Sequence, residues 1–125
     1  PTIGPTEAPS ATPTTTAAPT PRAPYGFAQK IIASTPSSIA FFGESVAVFG
    51  NYLVVGEQLG LNGDNVQAGV AHIYTTMDGG ATWSFVQELQ DSAPSANFGV
   101  AVAISENNVV VGASDDDFSG SVYAY

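Results

Sequence analysis

Two stretches decide the fold: FFGESVAVFGNYLVVGE, residues 41–57, and NFGVAVAISENNVVVGA, residues 97–113. They align without a gap at an offset of 56 residues, Phe42 on Phe98 and Gly43 on Gly99. Val46 and Ala47 fall on Val102 and Ala103, and Asn51 falls on Asn107. Val54, Val55 and Gly56 fall on Val110, Val111 and Gly112. A repeat at such a period is the mark of an array of like units.

Working outward, each copy has flanking echoes. GFAQKIIAS from Gly26 resembles SFVQELQDS from Ser84, and GVAHIY from Gly69 resembles GSVYAY from Gly120. The offsets of these echoes differ, which places length variation in connecting loops. Short runs rich in Val, Ala, Phe and Tyr are separated by Gly, Asn, Asp and Ser, with no sustained helical period. The first unit then reads as four strands: Ser45–Gly50, Tyr52–Glu57, Gly69–Tyr74 and Ser84–Gln90. Four antiparallel strands per unit of this length make one blade of a β-propeller. The expected fold is all-β: about two antiparallel blades forming a partial β-propeller. A rim strand spans 26–34, a blade 42–90 and a partial blade 98–125.

Residues 1–24 are different. They hold seven of the nine prolines and seven threonines, and Ile3 is the only large apolar residue among them. Such a segment cannot bury enough surface to offset the entropy of ordering. It is expected to be a disordered Pro/Thr-rich stalk or linker, either bearing O-linked sugars or unmodified. No N-x-Ser/Thr sequon occurs.

The formal net charge is −9, and Arg22 and Lys30 are the only cations. Nucleic acid and anionic membrane surfaces need clustered basic residues and are not expected partners. No apolar run has the length of a membrane helix. The absence of cysteine excludes disulfides, thiolate metal sites and a Cys nucleophile.

The paired Phe-Gly, the S/A-V-A run and the closing V-V-G-A resemble FG-GAP repeats, the units of integrin-α-type propellers. Phe42, Gly43, Phe98 and Gly99 carry the first half of that pattern. Gly112-Ala113-Ser114 carries the second without its proline, and Gly56-Glu57-Gln58 departs further. The resemblance covers about residues 25–125 and implies a propeller more than a particular function. The family's calcium loop, D-x-D/N-x-D-G between the first two strands, is not matched. Phe49-Gly50-Asn51-Tyr52 and Ser105-Glu106-Asn107-Asn108 are too short to supply six to eight oxygens. Thr76-Met77-Asp78-Gly79-Gly80-Ala81-Thr82-Trp83 resembles an Asp-box, with Thr for Ser at its first position. Asp78, Gly80, Thr82 and Trp83 are expected to be structural there, the carboxylate accepting turn N–H groups.

Chemistry is thin. Asp115, Asp116 and Asp117 are the calcium candidates, and no other cofactor is implied. The plainer reading is a solvated loop between second and third strands, with Asn62, Asp64 and Asn65 in the matching loop of the first copy. His72 sits mid-strand beside no evident nucleophile, and no G-x-S-x-G elbow exists. Glu44, Glu57 and Glu88 offer carboxylates without a constraining spacing. Sialidase chemistry would need several arginines, and the chain has one.

The expectation is a non-catalytic extracellular or cell-surface binding or adhesion module, with a protein or glycan ligand held by propeller loops. The alternatives are a scaffold or cell-wall component without a specific ligand, and part of a propeller-fold hydrolase. Two blades do not close a ring, and the chain ends inside a third strand. Truncation on the C-terminal side is therefore expected, with bare blade faces met by the remaining blades of a longer chain or by self-association.

Overall fold

The computed structural model describes residue 4 and residues 25–34, 39–61, 67–91 and 97–125. The expected stalk, Gly4 apart, and the Asn62, Asp64 and Asn65 cluster lie outside the described residues. Seven strands form: β1 (Phe42–Phe49), β2 (Tyr52–Glu57), β3 (Val70–Thr75), β4 (Ser84–Gln90), β5 (Phe98–Ile104), β6 (Val109–Ala113) and β7 (Ser121–Ala124). A single 3-10 turn at Asp116–Phe118 is the only helical element among the described residues. The strands make two separate antiparallel sheets, ordered β1-β2-β3-β4 and β5-β6-β7.

The period-2 patterning accounts for this layout. Val46 faces Val55 and Val48 faces Leu53, so their side chains share one face with His72, which lies opposite Val55. Val54 opposes Ile73 and Gly56 opposes Ala71 on the other face. That second face meets the second sheet. Val54, Ala71 and Leu89 pack against Phe98, Val111 and Ala113, with Ile73, Val102, Ile104, Val109 and Tyr123 at the margin. The sheets are thus stacked face to face, each a blade, and they share one core. Each fully buried Val or Phe in it contributes about 1.5–3 kcal/mol by leaving water.

The two copies also bend alike. Both first strands carry a register shift just after the Phe-Gly pair, between Phe42 and Ser45 and between Phe98 and Ala101. Gly43 and Gly99 have φ of 90° and 91°, and the residues before the pairs, Phe41 and Asn97, have φ of 55° and 53°. The expected start at Ser45 therefore moves back to Phe42, because a bulge, not a strand end, occupies the Phe-Gly corner.

One expectation fails. Residues 26–34 form no strand. The segment is held by a side chain: Trp83 N donates to Gln29 Oε1 at 2.7 Å, and Gln29 Nε2 donates to Trp83 O at 3.3 Å. The Gln29 amide thereby takes both backbone groups of Trp83, at the N-terminal end of β4. β4 is the outer edge of its sheet and largely exposed, as a polar rim strand should be.

Candidate functional site

The joint between the blades is built from the repeat residues. Phe98 is fully buried, and Phe98 N donates to Ala68 O at 2.9 Å. Ser45 Oγ donates to Gly99 O at 2.7 Å. The Phe98-Gly99 backbone lies so close to the first blade that a side chain on Gly56 would strike the Gly99 carbonyl. One on Gly69 would strike Phe98 O in the same way. The ring of Phe98 meets Tyr123 edge-on at 5.4 Å, and Phe42 meets His72 edge-on at 5.3 Å. The Phe-Gly pair is thus a plug, and Gly56 and Gly69 line the socket that admits it.

The Asp78 turn joins β3 to β4. Asp78 Oδ1 accepts from Thr82 N at 2.8 Å and from Thr76 Oγ1 at 2.9 Å, and Oδ2 accepts from Thr82 Oγ1 at 2.6 Å. Thr76 Oγ1 in turn accepts from Gly80 N at 3.0 Å. The hydroxyl and N–H of Thr82, then Thr76, hold the Asp78 carboxyl down at about 2. Every one of these partners is local, so the turn is closed upon itself rather than open to a ligand.

The three aspartates of the β6–β7 loop are adjacent in sequence but turn to different partners. Asp115 Oδ2 accepts from Asn97 Nδ2 at 2.5 Å. Asp116 is buried, and its Oδ2 lies 2.7 Å from the Tyr123 hydroxyl. Hydrogen bonds from Ser121 and then Tyr123 lower its pKa. Asp117 is exposed and sits at φ 49°. Among the described residues, no three His, Cys, Asp or Glu side chains gather to hold a metal ion.

The Tyr123 hydroxyl also lies 2.7 Å from Asp91 Oδ2. Asp91 follows β4 of the first blade, so this contact ties the blades together at the loop end. The hydrogen bond with Asp116, then that with Asp91, raises the Tyr123 pKa. Beyond the tied loop, Phe118 is fully exposed at φ 61°.

The sequence offered His72 no evident neighbour, and the geometry supplies its partner. His72 Nε2 lies 2.7 Å from Glu57 Oε2, and both side chains are buried. His72 Nδ1 is 3.8 Å from Glu88 Oε2 and has no hydrogen-bond partner. Burial, then the charges of Glu57 and Glu88, raise the pKa of nearby Tyr74. Glu57 and Glu88 reach His72 from β2 and β4, a juxtaposition that only strand register creates.

The FG-GAP repeat model matches residues 25–74 and 83–125. The chain belongs to the FG-GAP repeat family. Both matched segments contain one Phe-Gly plug, and together they span the two blades of the structure. The FG-GAP assignment agrees with the all-β, two-sheet architecture. No curated protein matches the chain. The FG-GAP family is generally non-enzymatic, and its repeats occur in adhesion-type propeller domains.

Proposed function

We propose that this chain is a non-catalytic binding module of the extracellular or cell-surface kind, taking a protein or glycan ligand at the β6–β7 loop. The reading is carried by Phe118. A fully exposed aromatic ring stands at the tip of a loop whose base is fixed by Asp116–Tyr123 and Asp115–Asn97 bonds. An aromatic anchor on a pre-ordered support is the usual centre of a binding patch. Asp117 beside it, and the net charge of −9, favour a ligand surface with basic or cationic character. The family's occurrence in adhesion-type propellers supports the same reading. We read the Asp78 turn as an Asp-box that shapes the blade without touching ligand, and the Pro/Thr-rich residues 1–24 as a spacer.

The test is binding of the full chain to arrays of glycans and of cell-surface proteins, with Phe118→Ala and Asp117→Asn in parallel. A specific ligand that Phe118→Ala loses, with an unchanged circular dichroism spectrum, supports the site. A ligand bound equally by the wild type and both variants moves the site elsewhere. No ligand on either array favours a scaffold.

A further inference from the structure

The plug and socket described between the blades each recur once, unused, at the two ends of the stack. The first-blade plug is Phe42-Gly43. Its backbone matches that of Phe98-Gly99, yet among the described residues nothing lies within 4 Å of where a Gly43 side chain would begin. The corresponding position on Gly99 is blocked by the Val70 carbonyl of the neighbouring blade.

The second-blade socket is found by the same correspondence. Gly112 stands where Gly56 stands, and Gly120, at φ 80°, stands where Gly69 stands, at φ 86°. There the surface has an open hollow of about 400 Å³, lined by Val100, Gly112, Ser119, Gly120 and Val122. In the first blade the matching space holds the Phe98-Gly99 backbone.

The surrounding faces follow suit. Val122 occupies the place of Ala71, but Val122 is 72 % exposed where Ala71 is fully buried. Val46 and Val48 occupy the places of Val102 and Ile104, and are 63 % and 62 % exposed while their counterparts pack against the core. The two open faces are therefore the two halves of a contact that the chain already makes within itself.

We propose that this chain associates head to tail, the Phe42-Gly43 corner of one copy seated in the Gly112/Gly120 socket of a second. The contact is heterologous, so copies add end to end, as a closed ring if the blade rotation closes and as an open stack if it does not. The inference is independent of the ligand reading at Phe118.

Gly112 allows a clean test. A methyl group there would sit 3.6 Å from the Ala101 Cβ, at ordinary contact distance, so Gly112→Ala leaves the monomer undisturbed. The same methyl fills the socket, as one on Gly56 would strike the Gly99 carbonyl. Val46→Arg places a charge on the plug face. Sedimentation velocity of the full chain is measured over a wide concentration range, at about 0.15 M salt and above, where like charges on two copies are screened beyond about 8 Å. Circular dichroism verifies folding, and Val122→Arg replaces Gly112→Ala if that variant does not fold.

The expected result is growth of the wild type with concentration, with association at least an order of magnitude weaker in each variant. Mixed together, Gly112→Ala and Val46→Arg chains form a dimer that stops there, because one keeps the plug and the other keeps the socket. A wild type that stays monomeric overturns the proposal. So does growth unaffected by Gly112→Ala, or a mixture that forms no dimer.

Discussion

Asp78 carries its charge in an exposed turn, yet its carboxylate gathers the N–H and hydroxyl of Thr82 and the hydroxyl of Thr76. Its folded pKa of about 2 lies below the unfolded 3.8, so the native state holds the charged form more tightly. That stability is complete above the unfolded value and is lost as pH falls through about 2. Asp78→Asn is thus expected to lower the melting temperature at neutral pH, with the gap to wild type closing as pH approaches 2. A gap that is constant across that range would show the charge to be irrelevant. His72 and Glu57 make the opposite case, a polar pair buried from solvent. His72→Leu leaves the Glu57 carboxylate buried without its partner, at a cost of about 3–5 kcal/mol. Replacing both by Leu recovers most of that loss, because nothing charged is then stranded. Urea denaturation of the two variants measures the difference. His72 was legible in the sequence as a strand residue without a nucleophile beside it; Glu57 as its partner was not, since they meet only across the β2–β3 pairing.

Strand periodicity was the most readable part of this chain. Tyr52–Glu57 and Ser84–Gln90 were placed to the residue, because the runs recur as echoes of the other copy and turn residues break the chain between them. The Gly26–Ser34 echo misled for a physical reason. It has the side-chain pattern of β4, but a strand needs a ladder partner, and the Gln29 side chain takes the Trp83 backbone groups instead. The Phe-Gly pair was legible as a motif and illegible as a joint. Its role predicts an asymmetry between two identical dipeptides. Phe98→Ala, in the shared core, should cost about 3–5 kcal/mol. Phe42→Ala, half-buried at an open face, should cost about half of that, since less surface leaves water. Equal losses in the two variants would contradict the plug assignment.

At the scale of the molecule, both sheets contribute to one core while each turns a second apolar face outward. Association through those faces adds stability that depends on concentration. Each tenfold rise above the dissociation constant should add about 1.4 kcal/mol. Thermal midpoints of the wild type are therefore expected to climb with protein concentration, and those of Gly112→Ala to stay level. Midpoints independent of concentration in both would mean that the open faces do not meet.

The amino-acid order alone determined the strand content, the blade repeat and the family, since these depend on short apolar runs broken by turn residues and on the matches between the two copies. It also determined that Asp78 and Thr82 would close a turn, because all the partners lie within a few residues. Tertiary structure decided which carboxylates are buried, which glycines are sockets and which aspartates part company within one loop. Those outcomes depend on residues far apart in the chain arriving within a few ångströms, and spacing along a sequence does not encode that approach.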